Sequence, residues 1–118
     1  MADDRGHPGD LDTAVSLAGL VQYQPGAVVS RTVLKRSSGT VTAFAFDEGE
    51  GLSEHTAAFD ALVVLIEGSA EITVAGRPQR VVAGDILRLP AGRPHALKAL
   101  SRFKMLLVMI RESAGSPP

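Results

Sequence analysis

The sequence predicts an all-β domain whose strands close into a sandwich or barrel. Three observations carry that reading. Short runs rich in β-branched and other apolar residues recur from Val28 to Ile110, turn residues separate them at spacings of about 8–12 residues, and no helical periodicity intervenes between them.

The runs are Val28 to Lys35, Val41 to Phe46, Ala61 to Ile66, Ala70 to Val74, Arg80 to Val82, Ile86 to Leu89, His95 to Leu100 and Phe103 to Ile110. Between them lie Ser37 to Gly39, Glu48 to Gly51, Glu67 with Gly68, Ala75 with Gly76, Ala83 to Asp85, and Pro90 to Gly92. Glycine supplies positive φ at such corners and proline fixes φ. So many short strands without covering helices favour closure, which removes exposed edges.

Ahead of this pattern, residues 11–22 carry Leu11, Ala14, Val15, Leu17, Ala18, Leu20 and Val21, a set compatible with a short helix or with an N-terminal strand. The first ten residues, including His7, and the stretch from Ser113 to Pro118 are polar or rich in Gly and Pro and read as frayed ends. The division expected is an N-terminal extension over 1–24, a barrel over 25–112 and a disordered tail over 113–118.

A chain of 118 residues holds one domain. Its 45% hydrophobic and 21% charged residues are ordinary globular composition. A net charge of −1 leaves no basic footprint, so neither nucleic acid nor an anionic membrane surface is an expected partner. The chain lacks cysteine, which excludes disulfides, thiolate catalysis and thiolate metal sites. With no apolar run near the ~18 residues of a membrane span and no leader pattern, the expected location is cytoplasmic.

Two segments are more specific. One runs from Gly51 to Gly68 through Glu54, His55, Ala57, Asp60 and Ala61; the other runs from Gly84 through Pro90, Gly92 and Pro94 to His95 and Ala99. They resemble the two motifs of the cupin superfamily, and with Phe103 to Leu107 they are similar to short single-domain bacterial members. The second motif keeps both glycines, the proline and the histidine at the family's spacing. The resemblance implies a cupin-type double-stranded β-helix, a jelly-roll barrel, over roughly residues 40–110.

The same resemblance implies where a metal would sit. Metal-binding cupins use two His and a Glu from the first motif and one His from the second. Here His55 and His95 remain, while the second histidine position is Ala57 and the glutamate position is Ala61. Asp60 lies one residue from the glutamate position, and in a regular strand that offset reverses its face. A bulge at Ala57 to Phe59 would turn it inward and make it a third ligand or an acid/base partner for the imidazoles. The metal, if any, is divalent Fe, Ni, Zn or Mn on His55, His95 and Asp60.

His55 and His95 are expected on one cavity, where neutral imidazole can bind metal, polarise a carbonyl or move a proton; as plain barrel histidines they would instead be satisfied by hydrogen bonds. The pocket expected around them comprises Phe44, Phe46, Ala57, Phe59, Ala61, Leu97 and Met105, of which the larger side chains read equally as core. Glu48, Glu50 and Glu54 read as solvated. The function expected is binding of a small organic ligand inside the barrel beside an incomplete metal site. The alternatives are a metal-dependent dioxygenase or isomerase acting on a small carbonyl or aromatic compound, and a sensor or accessory protein without catalysis.

Parity in the last run places Phe103, Met105, Leu107 and Met109 on one face and Lys104, Leu106, Val108 and Ile110 on the other. The lysine marks the second face as outward. Leu106, Val108 and Ile110 then need a cover, and a second copy in a homodimer is the cover expected.

Overall fold

The computed structural model describes residues 11–111, and these form nine strands and no helix. In chain order they are β1 (Val28–Arg36), β2 (Gly39–Phe46), β3 (Gly51–Thr56), β4 (Asp60–Glu67), β5 (Ser69–Val74), β6 (Arg77–Val82), β7 (Ile86–Leu89), β8 (Pro94–Ala99) and β9 (Phe103–Ile110). A five-stranded sheet runs β1-β2-β9-β4-β7 and a four-stranded sheet runs β3-β8-β5-β6. Every pairing is antiparallel. This is the closed two-sheet arrangement that the turn spacing predicts and the jelly roll that the resemblance implies, and the chain passes between sheets at its short corners.

Gly68 makes one of those corners. It joins β4 in one sheet to β5 in the other at φ +81°, and a Cβ there would meet the Arg102 carbonyl oxygen and the Phe103 Cα, both backbone atoms. Only glycine fits both the dihedral and the approach.

Eight strands correspond to the expected runs, and β3 is the addition. Its residues Ser53, Glu54, His55 and Thr56 are polar and exposed, and it sits at a sheet edge with β8 as its neighbour. A half-solvated edge strand needs no apolar alternation, so the pattern that finds the other strands does not reach it.

The core lies between the sheets. Phe46, Val63, Leu65, Ile72, Phe103 and Met105 are its largest fully buried side chains. Phe46 and Phe103 stack with ring centroids 4.3 Å apart at 8°. Phe103 and Met105 face inward as parity predicts, and Leu107 packs against them.

Part of the outward face of β9 is covered by the chain itself. Residues 11–27 adopt neither of the expected helix or strand forms but a series of turns, and Leu20 and Val21 are buried with Ala43 and Ala45 on that face beside Leu106. Lys104, read from sequence as a mark of solvent, is itself buried: its Nζ donates to the Ala18 carbonyl oxygen at 2.6 Å and lies 4.9 Å from the Tyr23 ring centre. Arg31 donates to the Leu20 carbonyl oxygen at 3.1 Å. Irregular backbone buried on a sheet needs partners for its carbonyls, and these two cations supply them. Ile110 stays exposed at 58%. The expected frayed ends, with His7, lie outside the described residues.

A bulge completes this face. β4 spends two residues where β9 spends one, between the pairs Leu65 with Met105 and Glu67 with Lys104. Glu67 therefore leaves the inward parity of Leu65, and its Oε2 accepts from the Tyr23 hydroxyl at 2.6 Å. Burial, then the bond to Glu67, pushes the Tyr23 pKa far up.

Candidate functional site

β3 and β8 pair so that His55 lies directly opposite His95. Residues opposed in an antiparallel ladder point to the same face, and the inward face of β8 is fixed by buried Leu97 and Ala99. Regular alternation would put Leu52 and His55, three residues apart, on opposite faces. The register shifts by one residue between them, because Leu52 opposes Leu97 while His55 opposes His95. This bulge aims both Leu52 and His55 inward.

The two imidazoles meet Nε2 to Nε2 at 3.1 Å, ring centres 4.3 Å apart and planes at 72°. His95 is buried and His55 is exposed. The proton placement follows from the partners. His55 Nδ1 lies 2.9 Å from the Ser53 carbonyl oxygen, which only accepts, so Nδ1 carries the hydrogen and Nε2 of the neutral ring offers a lone pair. His95 Nε2–H donates to that lone pair. His95 Nδ1 is then left as a buried acceptor with no partner among the described residues.

The environment keeps His95 neutral. Burial, first, and the neighbouring His55, second, lower its pKa below the ordinary 6.5, while the Arg93 backbone acts the other way.

A metal centre requires more than this pair. Two nitrogens 3.1 Å apart suit neighbouring positions on one ion, since bonds of ~2.1 Å at a right angle put ligand atoms ~3 Å apart. The His55 Nδ1–H bond to a carbonyl is also what a ligating histidine makes. The remaining donors are missing. Ala57 and Ala61 have none, and Asp60 does not join the imidazoles: its Oδ1 caps the backbone N–H of Ala91 at 2.8 Å. A bulge at Ala57 to Phe59 is the condition for turning Asp60 inward; the bulge lies instead in β3, where it turns His55. Among the described residues no three His, Asp or Glu side chains gather to hold an ion. The residues do not fit a resident metal.

The expected pocket contracts as well. Phe46 and Met105 are 0% and 1% exposed, so no water-sized space touches them, and Ala61 and Leu97 are packed in the same cluster. These four are core rather than ligand wall. Phe44 is half-buried against that cluster. Phe59 sits in the loop before β4 with the Arg111 guanidinium 4.6 Å over its ring. Ala57, half-buried, accepts from the Gly92 N–H at 2.8 Å, which ties the loop after β3 to the loop before β8. Deep between the sheets these side chains are packed as core, and the solvent-exposed member of the histidine pair is His55.

Sequence reasoning did not reach the Ser53 carbonyl that sets the His55 tautomer, or the bulge itself. The signal for the bulge is present: Leu52 and His55 cannot both face inward in a regular strand.

A family model described as the cupin domain matches residues 42–111. Among solved structures, a conserved protein of unknown function from Streptococcus pyogenes is 36% identical over 86% of this chain and 89% of its own, with a TM-score of 0.81. A cupin superfamily protein from Desulfitobacterium hafniense is 28% identical over 95% of both chains, at a TM-score of 0.80. A cupin 2 conserved barrel domain protein from Leptotrichia buccalis is 38% identical over 80% of this chain and 46% of its own, at 0.78. A comparison with curated proteins finds no match. The two-sheet barrel, its paired motifs and the extent of the family match agree, and the chain belongs to the cupin domain family.

Proposed function

We propose that this cupin binds a small neutral carbonyl or hydroxyl compound at the barrel mouth, with the His55–His95 pair in the place of a metal. The observation that carries the reading is the 3.1 Å Nε2–Nε2 contact between an exposed and a buried imidazole. The donor and the lone pair are bonded to each other, with exposed His55 the member that solvent reaches. A ligand hydroxyl inserted between them replaces that bond with one to each nitrogen, and a carbonyl oxygen that displaces His55 takes the His95 donor. His95, kept neutral by burial, donates without carrying charge into the barrel.

The dioxygenase or isomerase reading needs a metal for which the described residues supply two imidazoles and no further donor beside them. A sensor or accessory role would use the same site without turnover. Self-association is a separate proposal, resting on exposed Ile86 and Ile110, and sedimentation at micromolar concentration tests it.

The test is an NMR titration of the full chain with cyclohexanone and cyclohexanol. Saturable shifts of the His55 and His95 ring signals, lost in His95→Ala with the melting temperature nearly unchanged, support the proposal. Unchanged binding in His95→Ala, or shifts that spare both rings, overturns it.

A further inference from the structure

A cleft of about 340 Å³ opens between the β5–β6 hairpin and the loop leading from β7 to β8. Its walls include Arg77 and Gln79 from β6, and Pro90 and Arg93 from the loop, and they contain no acidic residue. Among the described residues neither the Arg77 nor the Arg93 side chain has an ion pair or hydrogen bond. Two arginines line one cleft whose walls carry no counter-charge, and an anion between them is attracted by both. In a chain of net charge −1 this pairing does not follow from a generally basic surface.

The backbone holds the two arginines in place. Ala75 and Gly76 form the two-residue turn between β5 and β6 with φ of 51° and 80°, so both central residues are left-handed. Alanine adopts that conformation at a cost that tertiary contacts must offset. One such contact is the bond from the Ala75 N–H to the Pro94 carbonyl oxygen at 2.8 Å, which fastens the hairpin tip to the start of β8. The opposite wall is a turn closed by the Arg93 N–H on the Pro90 carbonyl oxygen at 3.3 Å.

Register decides which way Arg77 points. It opposes Val74, Val74 opposes His95, and His95 opposes His55, so the four form one cross-strand row on the inward face of the four-stranded sheet. Gln79 opposes fully buried Ile72 and shares that face.

We propose that this cleft is an oxyanion site, in which Arg77 and Arg93, with the Gln79 amide, bind the carboxylate or phosphate group of a small metabolite. Guanidinium forks match both groups through paired N–H donors. The proposal does not rest on the reading of the histidine pair, which takes neutral compounds at the other end of the row.

The test is calorimetric titration of the full chain at low ionic strength with inorganic phosphate and, separately, with malonate. Saturable binding of either, weakened about tenfold or more in Arg77→Ala and in Arg93→Ala at unchanged melting temperature, supports the site. Preference for phosphate or for malonate assigns the anionic group. Arg77→Lys should recover part of the affinity, and His55→Ala should leave it unaltered. Absence of saturable binding by both probes overturns the proposal, as does equal affinity in the Arg77→Ala/Arg93→Ala variant or equal competition by chloride.

Discussion

His55 reaches His95 because β3 spends one more residue than β8 between the Leu52–Leu97 pair and the His55–His95 pair. Were those three steps of β3 regularly alternating instead of bulged, the Nε2–Nε2 contact of 3.1 Å could not form, because His55 would point away from the barrel.

Deleting Ser53 or Glu54 should remove the bulge and leave Leu52 and the histidine two residues apart, on one face by regular alternation, with the fold in place, since the edge strand contributes little to the core. The expected signature is a retained imidazole–imidazole contact in ring-nitrogen NMR with a change in stability of about 1 kcal/mol or less. Loss of the contact in both deletions would show that strand parity is not what positions His55.

Stability should depend on pH through His95. Its pKa is lower in the fold than the ordinary 6.5, so the unfolded chain binds more protons wherever the two states differ. The contribution is present in full above about pH 6.5 and is lost as pH falls toward the folded-state value. Urea unfolding followed from about pH 8 down to about pH 5 should show this loss. It should be smaller in His95→Leu, which cannot be protonated. An identical pH dependence in both proteins would remove His95 as its source.

Lys104 should act as a fastener for the N-terminal segment. Lys104→Ala leaves the Ala18 carbonyl without its donor and removes the charge over Tyr23, at a cost of about 1–3 kcal/mol. Proteolysis within residues 11–24 should quicken before the barrel itself opens, as limited digestion would reveal. Tyr23→Phe should act in the same direction, because it removes the donor to Glu67.

The inter-sheet stack should be the costliest place to cut. Phe46→Ala removes a ring that is 0% exposed and stacked on Phe103, and about 3–5 kcal/mol of unfolding free energy should go with it in chemical denaturation. Phe44→Ala, at a half-buried ring 5.9 Å from Phe46, should cost clearly less.

By itself the sequence determined the elements whose chemistry is local. Eight strands follow from apolar runs closed by turn residues, and corners such as Gly68 and Gly84 follow from the glycine that positive φ requires. The inward parity of Phe103, Met105, His95 and Leu97 follows from two-residue alternation along their strands. Tertiary structure decided whatever depended on two strands being compared. A bulge exists only relative to a partner, so the inward turn of His55, the outward turn of Glu67 and the cross-strand row from Arg77 to His55 are invisible in either strand alone. The burial of Lys104 was hidden for a related reason. A charge signals solvent only while nothing lies over it, and here a segment more than eighty residues earlier in the chain brings the Ala18 carbonyl onto its ammonium.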